Sequence, residues 1–170
     1  MDTREQAPLE FPKTEGVEVL RETMTAGDYT ARHRLKDGIE QMDTVVIERK
    51  GLGDLFVSFT SGYEQEKAKW ERAQACGLSY ILAIEGTATD VLRGHTYWAG
   101  GELREAKKSG LAMLRQLCSI QRRYQLSVWF CSSRKEMAVL VQEYFLAAER
   151  IPPTISLKNQ LEKQVNLAHP

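Results

Sequence analysis

Two short apolar runs constrain the fold of this chain most strongly. They are Tyr80–Ile84, which ends at Glu85-Gly86, and Val128–Phe130. A continuous apolar run of this length is typical of a strand that is covered on both faces. Helical patterns lie between the two runs and after the second. This order of elements predicts an α/β fold, with a mixed central sheet flanked by helices on both faces.

The remaining segments complete this prediction. We expect three strands of an antiparallel meander ahead of the apolar runs, at Val17–Thr23, Tyr29–His33 and Thr44–Ile47. We expect three helices, at Ser61–Cys76, Glu102–Tyr124 and Ser133–Arg150, of which the second is the longest. The first and third begin with S-x-x-E, the form of a capping box. Pro152-Pro153 ends the last helix. The predicted domain is therefore 1–150, followed by a polar tail at 151–170.

Composition narrows the class of protein. At 170 residues and 42% hydrophobic content, the chain has room for one domain with one core. It has no apolar run of about 18 residues and no signal-peptide pattern, so we expect no membrane association. Three cysteines without a C-x-x-C pair are typical of reduced thiols. Together these features predict a cytoplasmic protein, or a nucleoid-associated one if the host is a prokaryote or a phage.

The net charge of zero conceals an uneven distribution. The chain carries 23 basic and 23 acidic side chains. Residues 1–60 hold 8 basic and 12 acidic groups, whereas residues 111–170 hold 8 basic and 4 acidic groups. A cation site in the acidic part and a surface for a polyanion in the basic part are both compatible with this distribution.

The densest chemical signal is the strand end Glu48-Arg49-Lys50. Residues i and i+2 share a face of a strand, so Glu48 and Lys50 point one way and Arg49 the other. Asp28, which follows Gly27 before another predicted strand, brings a second carboxylate to the same edge. Two carboxylates and a lysine are what a magnesium-dependent nuclease needs, since Mg²⁺ takes oxygen ligands and a cationic donor stabilises charge on phosphate. Taken alone, the same residues are more typical of a solvated salt bridge than of a catalytic site.

The surrounding pattern resembles the nuclease domain of the xeroderma pigmentosum group F (XPF) family of structure-specific endonucleases. The family signature G-D…E-R-K-x-x-x-D is matched at every fixed position, by Gly27, Asp28, Glu48, Arg49, Lys50 and Asp54. Asp2-Thr3-Arg4-Glu5 precedes it, and Ile84-Glu85-Gly86 resembles the apolar strand that ends in I-E. This resemblance implies a restriction-endonuclease-like fold and a metal-dependent DNA endonuclease acting on branched, flapped or junction DNA.

The resemblance also assigns roles to residues. It implies that Asp28 and Glu48 bind Mg²⁺ or Mn²⁺ and that Lys50 assists catalysis. Asp2 and Arg4 would lie at the edge of the site, and Arg49 would be needed for activity or architecture. Asp54 would begin a helix that faces the metal, although an acid in the first turn of a helix also stabilises the helix dipole. Both roles of Asp54 stay open.

Several basic side chains are candidates for phosphate contacts. These are Arg4, Arg32, Arg34, Lys36, Lys107 and Lys108. Tyr63 stands where many family members carry an arginine, which puts a DNA contact there in doubt. We find no helix-hairpin-helix signal after Arg150, so we expect that a second copy or a partner subunit assists DNA binding. The alternative function is a catalytically silent DNA-binding scaffold subunit, and a nuclease for RNA or single strands is a third reading.

Overall fold

The computed structural model describes residues 1, 8–34, 37–99 and 102–150 of the chain. The predicted tail at 151–170 lies outside the described residues, so the domain boundary at residue 150 stays a prediction. In chain order the elements are β1 Arg32–Arg34, β2 Glu40–Met42, β3 Val45–Gly51, α1 Leu52–Ser58, α2 Tyr63–Ala75, β4 Ser79–Glu85, α3 Ala88–Arg93, β5 Thr96–Ala99, β6 Glu102–Glu105, α4 Gly110–Tyr124, β7 Ser127–Cys131 and α5 Arg134–Arg150.

The centre of the fold is a parallel sheet in the order β3-β4-β7. The middle strand β4 is buried along almost its whole length, as its continuous apolar run predicts. Tyr29 adds an antiparallel bridge to Ile47 at the outer edge of β3, which makes the sheet mixed. The prediction of an α/β fold with helices on both faces is confirmed.

Each face of the sheet has its own core. On one face Val46, Leu82 and Ile84 pack with buried residues of α1, α2 and α4. On the other face Ile47 and Ala83 pack with buried residues of α5 and with the N-terminal segment. Alternation along β3 therefore places Glu48 and Lys50 on the α2 face and Arg49 on the α5 face. The prediction that Glu48 and Lys50 share a face is confirmed.

The front of the chain differs from the predicted meander. The segment Val17–Thr23 forms no extended strand, and Val17, Val19 and Leu20 are exposed. Without a surface to cover them, these apolar side chains provide no driving force for strand pairing. The pair of neighbouring strands found here is instead β1 with β2, antiparallel, with Arg32 opposite Met42.

Two helix predictions also need correction. Helix α4 begins at Gly110 with Ser109 as its cap, and Glu102–Glu105 forms β6, paired with β5, so the predicted helix Glu102–Tyr124 was too long. The longest helix among the described residues is α5. The capping box expected at Ser61 is absent, because the Ser61 hydroxyl donates to the Val57 carbonyl at the end of α1 and Gly62 caps α2.

Among the described residues, none of the helices has the length and apolar content that a membrane span requires. Helix α5 packs Met137, Ala138 and Val141 against the sheet and leaves Val139 and Leu140 exposed on its outer side.

Candidate active site

The acid ahead of β3 is positioned by the main chain. Gly27 has a φ of +67°, and a Cβ at this position would lie 3.1 Å from the Ile47 carbonyl oxygen. Only glycine tolerates both conditions at low cost. The next residue then pairs with β3: the Asp28 N–H donates to the Ile47 carbonyl at 2.8 Å, and Asp28 Oδ2 accepts from the Arg49 N–H at 2.8 Å. The Asp28 carboxylate is thereby fixed to the backbone of β3 at Arg49, the residue after Glu48.

Glu48 is buried and surrounded by donors. Its Oε1 lies 2.8 Å from the Lys69 ammonium and 3.3 Å from that of Lys50. Its Oε2 accepts a hydrogen bond from the Tyr80 hydroxyl at 3.1 Å. A carboxylate has about four lone-pair positions, so three of them are already used.

A second buried carboxylate completes the network. Glu66 Oε1 lies 2.9 Å from the Lys50 ammonium and 3.2 Å from that of Lys69. Both lysines therefore bridge Glu48 and Glu66, and the four charges sum to zero. Glu66 Oε2 is buried and has no hydrogen-bond partner among the described residues. A charge-balanced cluster of this kind can be buried, whereas an unpaired charge could not.

The network shifts the pKa values of its members. Burial alone would raise the pKa of Glu48, but the ammonium groups of Lys69 and Lys50 overcome it and hold that pKa below its ordinary value. Burial would lower the pKa of Lys69, and the carboxylates of Glu48 and Glu66 reverse the effect and raise it. Both groups are therefore charged at neutral pH.

The donor set fits a hard divalent cation. Asp28 and Glu48 are oxygen donors, and Mg²⁺ uses one or two protein carboxylates and keeps several waters. Burial raises the pKa of the Tyr80 hydroxyl, and the negative charges of Glu48, Glu66 and Asp28 raise it further. All three carboxylates are therefore close enough to Tyr80 to influence its hydroxyl group. Within the described part of the chain, no group of three or more His, Cys, Asp or Glu side chains is placed to hold a metal ion. The assignment of Asp28 and Glu48 as ligands stays a prediction.

The Arg49 side chain lies on the α5 face of β3, opposite to Glu48 and Lys50. Its Nη1 lies 2.8 Å from Glu85 Oε2, and Arg134 Nε approaches the same oxygen at 3.6 Å. These contacts tie the end of β3 to β4 and to the start of α5. The geometry supports the architectural part of the role expected for Arg49.

The family model of the ERCC4 domain matches residues 1–144. The chain belongs to the ERCC4 domain family. XPF from Aeropyrum pernix superposes with a TM-score of 0.54 at 18% identity, over 89% of this chain and 61% of that one. XPF from Aeropyrum pernix in complex with DNA gives a TM-score of 0.51 at 16% identity, over 83% and 58%.

At this level of identity the two structures show a shared fold, and the resemblance to an XPF-type nuclease domain is confirmed. This chain spans about three fifths of the length of these two structures. No match was found among curated proteins.

The structure describes only some of the other residues predicted for this ERCC4 domain. Asp54 is exposed in the first turn of α1, where a carboxylate favours the helix dipole. Asp2, Arg4 and Lys36 lie outside the described residues. Their roles, like those of the other predicted site residues, stay predictions.

The basic side chains predicted to contact phosphate differ in whether they are exposed to solvent and whether they already have partners. Arg34 is exposed and pairs with Glu40 at 3.1 Å, and Arg32 pairs with Glu22. Lys107 is exposed. Lys108 turns inward instead, because its ammonium donates to the Phe59 carbonyl and to the Gln116 side chain.

Sequence reasoning missed Glu66, Lys69 and Tyr80. One signal was available: on α2 the buried positions are Glu66, Trp70 and Ala73, which follow an i, i+4, i+7 stripe. A glutamate on the buried stripe of a helix requires a buried cationic partner. The pattern does not say which lysines supply it, because Lys50 comes from another element.

Proposed function

We propose that this ERCC4 domain is a metal-dependent DNA endonuclease that hydrolyses phosphodiester bonds, with branched, flapped or junction DNA as its substrate. One observation carries the proposal: β3 holds Glu48 and Lys50 on one face, beside an Asp28 carboxylate fixed to the Arg49 N–H at 2.8 Å. The family match and the likeness to XPF, which has been seen in complex with DNA, support it.

Each residue of the site would have its own role in phosphodiester hydrolysis. Asp28 and Glu48 would hold Mg²⁺ or Mn²⁺, which supplies positive charge against the phosphate and lowers the pKa of water. Lys50 places an ammonium group beside Glu48, where it stabilises negative charge that develops on phosphate oxygens. Arg49 anchors the strand end through Glu85, so that the carboxylates keep their spacing.

A second candidate function, a catalytically silent DNA-binding scaffold subunit, is favoured by one observation. Both oxygens of Glu48 already accept from Lys69, Lys50 or Tyr80, and two of these donors are cations. A carboxylate neutralised in this way has less affinity for a second cation.

The deciding experiment measures cleavage. Labelled single-strand, duplex, splayed-arm, flap and three-way-junction DNA would be incubated with the protein in Mg²⁺, Mn²⁺ or EDTA. Asp28→Asn keeps the acceptor for the Arg49 N–H but removes the charge, and Lys50→Ala removes the ammonium. We expect each to lower the cleavage rate by about 10²-fold or more.

Two control variants have exposed or partly exposed side chains away from the network. They are Asp37→Asn in a turn and Lys67→Ala on α2, and both should cleave at the rate of the parent protein. Cleavage in EDTA, or full activity of both Asp28→Asn and Lys50→Ala, would contradict the nuclease mechanism. DNA binding without cleavage of any substrate would favour the scaffold.

A further inference from the structure

The two lysines of the buried network are equivalent in their contacts but not in their surroundings. Lys50 and Lys69 each bridge Glu48 Oε1 and Glu66 Oε1, at distances between 2.8 and 3.3 Å. The Lys50 side chain is 10% exposed and rises from the sheet, whereas the Lys69 side chain is 33% exposed and comes from α2. Lys69 is therefore the ammonium that can move toward water at low cost.

Lys69 also makes the shortest contact with Glu48. Its Nζ lies 2.8 Å from Oε1, which is one of the two oxygens that a cation at this carboxylate would use. A dication bound to Glu48 would stand within a few ångströms of this ammonium and be repelled by it. Lys69 and the cation therefore compete for one carboxylate.

Glu66 offers Lys69 an alternative position. Its Oε1 already contacts Lys69 at 3.2 Å, and its Oε2 is buried with no hydrogen-bond partner among the described residues. An ammonium that leaves Glu48 can donate to both oxygens of Glu66 without leaving the network. Glu66 thus keeps Lys69 close while Glu48 becomes available.

We propose that Lys69 is the resident counter-ion of Glu48, a positioning residue that occupies this carboxylate until a divalent cation takes its place. The proposal rests on the metal dependence proposed above and adds to it a residue outside the E-R-K motif. Its direct consequence is that removal of the Lys69 charge strengthens cation binding.

The test is titration calorimetry of the full chain with MnCl₂ and MgCl₂ in the absence of DNA. Lys69→Met should bind Mn²⁺ on the order of tenfold more tightly than the parent, since it removes one charge a few ångströms from the dication. Lys69→Arg keeps the charge and should bind as the parent does.

Lys67→Met is the matched control. Lys67 lies on the same helix with 35% of its side chain exposed, and it contacts Glu64 and Glu71 instead of the network. We expect this variant to bind Mn²⁺ with the affinity of the parent. An equal gain in Lys67→Met would show a general effect of net charge and would overturn the proposal.

Other outcomes separate this inference from the proposed function. Unchanged or weaker Mn²⁺ binding by Lys69→Met overturns the inference, and so does a lack of binding by every variant. If Asp28→Asn binds Mn²⁺ as well as the parent does, the assignment of the cation to Asp28 and Glu48 fails, whatever Lys69→Met shows. Should Lys69→Met fold poorly, Glu66→Gln/Lys69→Met keeps the network balanced, and it should bind Mn²⁺ more tightly than Glu66→Gln alone by the same factor.

Discussion

The charged side chains on the two faces of β3 differ in how deeply their carboxylate partners are buried. On the α2 face Glu48 and Lys50, with Glu66 and Lys69, form a buried network in which both carboxylates are less than 10% exposed. On the α5 face Arg49 contacts Glu85, whose side chain is 32% exposed. Both carboxylates of the first network are buried, whereas the carboxylate of the second pair is partly exposed, so water screens the second pair more strongly. Loss of one charge should therefore cost more on the α2 face than on the α5 face.

The largest loss of stability is expected when one charge is removed from the buried network on the α2 face. Lys50→Met leaves Glu48 and Glu66 with the Lys69 ammonium alone, an uncompensated buried charge. We expect a loss of about 3–4 kcal/mol in the free energy of unfolding, measured by urea denaturation and the fluorescence of the buried Trp70. A loss below about 1 kcal/mol would show that the network is as well screened as the α5 face.

Acid should destabilise the protein through the same face. The pKa of Glu48 in the folded chain lies below its ordinary value of 4.5, so its contribution to stability is present above that pH and is lost as pH falls through the folded value. Lys69 behaves in the opposite sense: its raised pKa gives stability that is lost only as pH rises through a value above 10.5. Urea midpoints between pH 3 and pH 7 should fall below about pH 4.5, and less steeply in Glu48→Gln.

Removal of the Tyr80 hydroxyl tests the neutral donor of the network. Tyr80→Phe leaves Glu48 Oε2 without the donor that it has at 3.1 Å. We expect a loss of about 1–2 kcal/mol, because a buried acceptor is left without that hydrogen bond. Thermal unfolding of this variant beside the parent measures the loss, and a neutral result would show that water replaces the hydroxyl.

The smallest effect is expected on the α5 face. Arg49→Met removes the contact with Glu85, which is partly exposed and also approached by Arg134. We expect a loss of about 1 kcal/mol or less by urea denaturation. A loss as large as that of Lys50→Met would mean that the two faces do not differ and would remove the basis of the comparison.

The sequence predicts best what depends on neighbours along the chain. Strand alternation is sufficient to place Glu48 and Lys50 on one face, and the continuous apolar run at Tyr80–Ile84 is sufficient to predict the middle strand. The helix predicted from Glu102 rests on apolar residues that recur near helical spacing, beginning with Leu103 and Ala106, but Glu102–Glu105 pairs with β5 instead.

The network partners could not be predicted in the same way. Glu66 and Lys69 meet Glu48 because α2 packs on the sheet, and Tyr80 meets it because β4 pairs with β3. No local pattern encodes which lysine reaches which carboxylate. The charge-balanced burial of four side chains is a property of the packed structure.

The backbone of Gly27 sets a limit on how this edge of the domain can vary. Because the main chain turns there and pairs at once with β3, the Asp28 carboxylate sits at the end of the shortest acidic side chain, with no spare length. Asp28→Glu, usually regarded as a mild exchange, would push the carboxylate outward by one carbon–carbon bond. The turn at Gly27 and the length of the Asp28 side chain together set the position of the carboxylate, so neither residue can be exchanged without moving it.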